Sequence, residues 1–303
     1  MPKDELIQRI ERLKRERGAV ILAHNYQPPE IQDIADRLGD SLDLSRIAQR
    51  EERGVIVFCG VRFMAETAAI LSPEKRVILP DPTAGCPMAD MLSLDDLLSL
   101  REEHPGAEVV MYVNSTAEVK AHTDICCTSA NAVAVVESVP DGREIIFGPD
   151  QYLGGWVQRQ TERRMIIWRG FCPSHQKIIP AHIEELRERY PDAVVMVHPE
   201  VHPEISRAAD AVLGTGGMIR YAGESRAETF IVGTEVGMVY RLSKLYPEKR
   251  FIAASRQAIC PNMKKITLEK VLSSLETLEP AVSVPDEIAD RARRAIERMI
   301  EIG

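Results

Sequence analysis

Apolar residues recur at helical spacing near the start of the chain, at Leu6, Ile7, Ile10 and Leu13, and the pattern stops before Gly18. That spacing predicts a helix over 5–17 closed by a glycine stop. The apolar run 19–23 then reads as a buried strand that delivers His24, Asn25 and Tyr26 at its end. Pro28-Pro29 halts it, and a short helix follows through residue 38. Ser41 opens a second helix, with Asp40 and Ser41 both good capping types. A strand over 55–59, a helix over 63–71 and a strand over 76–79 lead into a loop holding Cys86. A helix over 93–103 closes this pass.

The pattern then restarts twice. Strand 108–113 delivers Tyr112 and Asn114, a helical piece follows, and Ser129 opens the next helix. Strand 144–147, helix 151–160 and strand 165–168 lead to Cys172, and helix 183–189 closes the second pass. The third has strand 193–197 delivering His198 and Glu200, Thr215 at a helix start, strand 229–232, helix 236–245, strand 250–254 and then Cys260. The pairs His24/Ser41, Tyr112/Ser129 and His198/Thr215 are each 17 residues apart. Self-similarity on this scale is an architectural signal. Alternating strands and helices imply right-handed parallel crossovers. The expected fold is α/β, with three similar three-layer αβα domains and parallel sheets around a pseudo-threefold axis. The expected division is 1–88, 89–174 and 175–303, the last carrying a C-terminal helical tail. Ligands of such sheets bind outside the carboxyl ends of the strands, and every distinctive residue found here sits at one.

Composition narrows the class. The 303 residues carry a formal charge of −8 and contain no basic block, which argues against nucleic-acid binding. No apolar run approaches a transmembrane length, and the charged start excludes a secretory signal. Six cysteines without a dense framework read as cytosolic thiols or ligands. The expectation is a soluble cytoplasmic protein.

Three of those cysteines precede proline: Cys86-Pro87, Cys172-Pro173 and Cys260-Pro261, spaced 86 and 88 residues apart. Thiolates are soft ligands suited to iron–sulfur clusters, zinc or copper, and a following proline fixes the backbone and removes an amide donor. Equal spacing and a shared place after a strand favour ligands over three unrelated buried thiols. Three thiolates would hold a four-iron cluster and leave the fourth iron open; a zinc site fits the ligand type too, with His175 as its nearest fourth ligand. Cys59 and the vicinal Cys126-Cys127 lack the pattern and read as core.

Ser41, Ser129 and Thr215 hold equivalent positions at helix starts. Capping alone explains each singly, but helix N-termini with free amides also hold anions, and Gly214-Thr215-Gly216-Gly217 permits close backbone approach. Three such termini around one cavity would suit a substrate with several carboxylates or a phosphate. His24, Tyr26 and His198 complete the acid–base set with Glu200, whose pKa desolvation would raise towards that of a working general base. Asp210 and His202 read as solubility and capping only.

The sequence resembles the quinolinate synthase family, the A protein of de novo NAD biosynthesis. The resemblance rests on Ala23-His24-Asn25-Tyr26, Gly39-Asp40-Ser41, Tyr112-Val113-Asn114-Ser115, Cys126-Cys127-Thr128-Ser129-Ala130-Asn131 and Gly148-Pro149-Asp150. It continues through Val197-His198-Pro199-Glu200, Gly214-Thr215-Gly216 and Cys260-Pro261-Asn262-Met263-Lys264, in order over nearly the whole chain. It implies a [4Fe–4S] transferase that condenses iminosuccinate with dihydroxyacetone phosphate to quinolinate, releasing phosphate and water. In that reading Cys86, Cys172 and Cys260 ligate the cluster. His24, Ser41, Tyr112, Asn114, Ser129, His198, Glu200 and Thr215 line the substrate site, and Glu200, Tyr26, His24 and His198 carry the protons. An L-aspartate oxidase or dehydrogenase would supply the unstable iminosuccinate. Two rivals share part of the pattern: an iron–sulfur hydro-lyase acting on a hydroxy diacid, which would release no phosphate, and a non-enzymatic redox carrier, which would need no converging His, Tyr and Glu.

Overall fold

In a computed structural model, which describes residues 2–302, the three passes fold alike. The first runs α1 (Lys3–Glu16), β1 (Ala19–His24), α2 (Pro29–Ile34), β2 (Arg37–Gly39), α3 (Ser41–Arg50), β3 (Val55–Cys59), α4 (Arg62–Leu71) and β4 (Arg76–Ile78). The second runs α5 (Leu94–Glu103), β5 (Glu108–Tyr112), α6 (Ala117–Ala121), β6 (Ile125–Cys127), α7 (Ala132–Ser138), β7 (Ile145–Gly148), α8 (Gln151–Thr161) and β8 (Met165–Ile167). The third runs α9 (Pro180–Arg189), β9 (Val194–Val197), α10 (Pro203–Ala208), β10 (Ala211–Val212), α11 (Thr215–Glu224), β11 (Thr229–Gly233), α12 (Gly237–Leu245) and β12 (Arg250–Ala253). Two further helices, α13 (Leu268–Thr277) and α14 (Asp286–Ile302), follow.

All three sheets are parallel and share one strand order: β2-β1-β3-β4, β6-β5-β7-β8 and β10-β9-β11-β12. The three αβα domains expected from the sequence are therefore present. The third sheet shows the layering plainly. One face packs Ile183 of α9 and Ile205 of α10 against Val195 and Ile231, and the other packs Met218 of α11 and Leu242 of α12 against Phe230 and Val232.

The short edge strands correct the expected helix through residue 38. That helix ends at Ile34 and residues 37–39 pair with β1 instead. Three residues carry too little periodicity to predict a strand; a repeated aspartate places it. Asp36, Asp124 and Asp210 each stand just before an edge strand. Each accepts the N–H of a residue in the neighbouring central strand: Ile21 at 2.8 Å, Val109 at 2.8 Å and Val195 at 2.7 Å. Each also meets a cation on or near the preceding helix, Lys14 at 2.9 Å, Arg101 at 2.6 Å and Arg187 at 3.0 Å. A hydrogen bond to a charged group contributes about 1.5–3 kcal/mol. Asp210, expected to serve solubility and capping only, is thus part of the sheet's frame.

The tail leaves the third sheet. Helix α13 lies on α1 and β3, and α14 lies across α6, β6 and α4. The Asn131 amide donates to the buried Met299 carbonyl at 2.9 Å. The last helix therefore ties the first two sheets together. No helix among the described residues is long and apolar enough to cross a membrane.

Candidate functional site

In a sheet of order 2-1-3-4 the chain leaves the first strand in opposite directions, which opens a crevice at the carboxyl ends of the first and third strands. His24 ends β1, Tyr112 ends β5 and His198 follows β9. The three crevices meet in one cavity of about 190 Å³. His24, Tyr26, Tyr112, Asn114, His198 and Glu200 line it, together with Ser41, Ser129 and Thr215 and the three Cys-Pro cysteines. Every residue proposed from the sequence as a cluster ligand or substrate contact thus lines the same space.

The cysteine loops are built identically. Each Cys-Pro pair is followed at the same offset by a single 3-10 turn, Ala89–Met91, His175–Lys177 and Met263–Lys265. The N–H of the third residue on, Ala89, His175 or Met263, points at the cysteine sulfur. Burial pushes the Cys86 thiol up to about 12 and raises Cys172 and Cys260 as well. These groups are therefore neutral thiols until a metal displaces the proton. Cys59, Cys126 and Cys127 are fully buried in the core, as expected.

The two strand-end histidines have fixed tautomers. The backbone N–H of Tyr26 donates to His24 Nδ1 at 3.2 Å, and that of Glu200 to His198 Nδ1 at 3.4 Å. Each ring then carries its proton on Nε2, and His198 Nε2 is 3.1 Å from Ser129 Oγ. Burial, with His198 nearby, lowers His24 to about 3, and burial lowers His198 to about 4. Both are neutral donors at physiological pH. Burial raises the Tyr26 and Tyr112 phenols well above their ordinary value, and the Glu200 charge adds to it.

Glu200 departs from its expected tuning. Burial does push it up, but His198, His175 and a Tyr112 hydroxyl at 2.7 Å outweigh that and hold it below the usual carboxylate range. It is ionised, with His175 Nδ1 at 2.8 Å and His198 Nδ1 at 3.8 Å. The His175 ring is turned so that the close contact is not in line for a hydrogen bond. On its other side His175 Nε2 meets Thr234 Oγ1 at 2.8 Å, and that oxygen is 2.5 Å from the Tyr26 hydroxyl. A continuous polar chain therefore runs Tyr26–Thr234–His175–Glu200–Tyr112.

Thr234 and Glu235 escaped the sequence reading, and Asp150 was noted there only as part of a motif, without a role. Asp150 and Glu235 stand two residues after β7 and β11, at matching places in the repeat, and aligning the second strand ends as well as the first would have found them. Thr234 and the pairing of His175 with Glu200 carry no local signal. His175 meets Glu200 on one side and Thr234 on the other. Among the described residues the group with three ligand atoms within 4.8 Å is Cys172, His175 and Glu200, which leaves Cys86 and Cys260 outside it.

The helix starts also differ from expectation. Ser41 and Thr215 are first helical residues capped by Asp40 and Gly214, and Ser129 lies in the turn before α7, whose cap is Asn131. Asp40 Oδ1 already accepts Leu42 N–H at 3.0 Å and Asp43 N–H at 2.9 Å, so those amides are not free for a ligand. The glycines let these termini touch: a Cβ at Gly214 would stand 2.9 Å from Ser129 Oγ, and one at Gly216 2.7 Å from Asp40 Oδ2. Asn25 Nδ2 donates to Thr215 Oγ1 at 2.9 Å, while Asn114 Oδ1 is buried without a partner.

Three parallel sheets that aim thiols, neutral imidazoles, phenols and an ionised carboxylate into one enclosed space define an α/β enzyme of the small-molecule type. The chain belongs to the NadA family, the quinolinate synthetase A proteins, whose model matches residues 8–301. It is 56% identical over 302 residues to the quinolinate synthase of Dehalococcoides mccartyi, covering 100% of both chains. It is 51% identical over 299 residues to that of Desulforudis audaxviator, covering 99% of each. Against the quinolinate synthase of Methanosarcina barkeri the identity is 49% over 302 residues, covering 100% of this chain and 99% of the relative.

Proposed function

We propose that this chain is a transferase that condenses iminosuccinate with dihydroxyacetone phosphate to quinolinate, with loss of phosphate and water. The observation that carries the reading is the polar chain from Tyr26 through Thr234 and His175 to Glu200, in one cavity with three equivalent thiols. A [4Fe–4S] cluster is the group those thiols fit. They come from three separate loops, each with an N–H aimed at sulfur, and Cys172 lies close enough to Cys86 and Cys260 for their charges to interact. Cys86, Cys172 and Cys260 would hold it, and when bound it would supply an open iron, a Lewis acid for a carbonyl or hydroxyl oxygen during water loss.

The chain's own residues account for binding and proton movement. Both substrates are anions, and His24 Nε2–H, His198 Nε2–H and the hydroxyls of Ser41, Ser129 and Thr215 are neutral donors suited to carboxylate or phosphate oxygens. Asn114 adds a buried amide with a free oxygen. Glu200 holds a protonated His175 when the imidazole takes a proton through Thr234, so Tyr26 can give and recover its proton at the cavity wall. Tyr112 donates to Glu200 and fixes its orientation. An L-aspartate oxidase or dehydrogenase would supply the iminosuccinate.

The test is anaerobic. Protein reconstituted with iron and sulfide is mixed with iminosuccinate generated in place and dihydroxyacetone phosphate, and quinolinate and phosphate are measured together. Equal amounts of both are expected. Hydration or dehydration of a diacid without phosphate release would assign the site to a hydro-lyase instead.

A further inference from the structure

The turns that carry the three cysteines are alike in their bonding. Met91, Lys177 and Lys265, each five residues after its cysteine, donate their N–H to the carbonyls of Met88, Ser174 and Asn262 at 3.1, 3.3 and 3.2 Å. The fourth residue after the cysteine is therefore one position repeated, and Asp90, Gln176 and Lys264 occupy it. Two of these side chains reach across to another pass of the chain. Gln176 Nε2 donates to the Glu200 carbonyl at 3.1 Å, and the Lys264 ammonium donates to the Tyr26 carbonyl. Tyr26 and Glu200 each stand two residues after a matched histidine, His24 or His198. The contacts follow the order of the repeat: the second turn holds the third pass, and the third turn holds the first. By the same rotation the target of the first turn is the Asn114 carbonyl, and the Asp90 carboxylate has no N–H to give it.

Lys264 is itself aimed. Its ammonium lies 2.9 Å from Oε1 of Glu235, a residue 1% exposed, and that oxygen also accepts the Cys260 N–H at 3.1 Å. The other carboxylate oxygen accepts the Gly237 N–H at 2.7 Å. A Cβ at Gly237 would stand 2.8 Å from the Tyr26 carbonyl oxygen, so a side chain there would force the two passes apart. Thr234, the neighbour of Glu235, meets the Tyr26 hydroxyl at 2.5 Å. Tyr26 is thus gripped at both ends, by the segment after β11 and by the turn that carries Cys260.

We propose that Gln176 and Lys264 are positioning residues that tie the Cys172 and Cys260 loops to Glu200 and Tyr26, so that occupancy of the cysteines sets both relay residues in place. The inference rests on the proposed function, with the cysteines as cluster ligands and Tyr26 and Glu200 in the proton relay. Coupling between two sites is reciprocal, so the same contacts strengthen retention of the metal group. Partners behind metal ligands typically change metal affinity by roughly tenfold to a hundredfold.

The experiment compares full-length wild type with Gln176→Met, with the double variant Glu235→Gln/Lys264→Met and with Asp90→Asn. The double variant removes the buried pair together and leaves no unpaired charge behind. Each protein is prepared metal-free and after anaerobic reconstitution with iron and sulfide. Amide hydrogen exchange, followed by mass spectrometry, is read over residues 25–27 and 200–202 in both states. Loading of wild type is expected to slow exchange in both segments. Gln176→Met is expected to lose that protection over 200–202 only, the double variant over 25–27 only, and Asp90→Asn over neither. The first two should lose iron to a chelator roughly tenfold to a hundredfold faster than wild type. Their kcat should fall by up to about a hundredfold with little change in KM, the effect of a misplaced reacting group. Wild-type protection on loading in both Gln176→Met and the double variant overturns the proposal. Faster exchange by the same factor in the metal-free and loaded states makes these side chains ordinary struts of the fold and overturns it equally. Wild type that takes up iron and sulfide with no change in either segment also overturns it, while the cluster reading stands. Wild type that takes up no iron and sulfide overturns the cluster reading first, and this inference with it.

Discussion

Glu200→Gln is the sharpest perturbation of the site. The carboxylate is 3% exposed and holds Tyr112, His175 and His198 within 2.7, 2.8 and 3.8 Å. Glutamine has the same shape, and its amide oxygen still accepts from Tyr112, so the cavity keeps its form and only the charge is lost. A unit charge acting on a protonated His175 at 2.8 Å is worth about 6 kcal/mol at an effective dielectric of 20, which sets the ceiling. General acid–base participation typically contributes a hundred- to ten-thousand-fold, about 3–5 kcal/mol, and lies under that ceiling. The expected result is a fall in kcat of roughly a thousandfold with little change in KM. Visible absorption of the reconstituted cluster should be unchanged. The assay is single-turnover quinolinate formation under anaerobic conditions, beside an absorption spectrum of the same sample. Because the neighbours hold Glu200 below the usual carboxylate range, wild type should show no acidic limb from it near neutral pH. Turnover within threefold of wild type, about 0.6 kcal/mol, would refute the relay through His175. Loss of the cluster in this variant would make Glu200 a support of the metal site instead.

Other outcomes follow from the same geometry. Thr234→Val keeps the volume and removes the hydroxyl between Tyr26 and His175, so kcat should drop by about a hundredfold while the melting temperature of the metal-free chain moves little; unchanged kcat takes Thr234 out of the relay. Cys86→Ala, Cys172→Ala and Cys260→Ala should each abolish the cluster's visible absorption, whereas Cys59→Ala should keep it; a full cluster in any of the first three removes that cysteine from the ligand set. Acid should destabilise the metal-free chain: His24 and His198 are lowered from 6.5 to about 3 and about 4, so the unfolded chain binds protons first as pH falls below 6.5. Urea melts at pH 6.5 and 5 should differ by about 1.5 kcal/mol for each histidine, and equal stability would mean that the rings are not buried as described. Asp210→Ala should cost about 2 kcal/mol by the same melts, through loss of the β9 N–H and Arg187 contacts; a change under 0.5 kcal/mol, about the usual surface value, would put it back among solubilising residues.

Periodicity and repetition in the sequence were enough to determine the threefold α/β plan, because a strand buried on both faces reads as a continuous apolar run and each run recurs at matched spacing. The same repeats marked Cys86, Cys172 and Cys260, His24, Tyr112 and His198, since strand ends in a parallel sheet are where side chains reach a ligand. Tertiary structure alone decided the rest. The edge strands β2, β6 and β10 are two or three residues long, and a repeated aspartate rather than a hydrophobic pattern fixes them. Residues 40 and 214, not 41 and 215, cap their helices, and only the packing of Gly214 on Ser129 and Gly216 on Asp40 explains the glycines. Desolvation by itself raises Glu200, as the sequence led one to expect; the two imidazoles and the phenol that reverse its direction come from other passes of the chain or from the next residue pair, and one dimension cannot bring them within 4 Å. The buried Lys120, whose ammonium donates to the Ser115 carbonyl, is the same lesson in the opposite sign: a lysine in a short helix looks solvated until the sheets close over it.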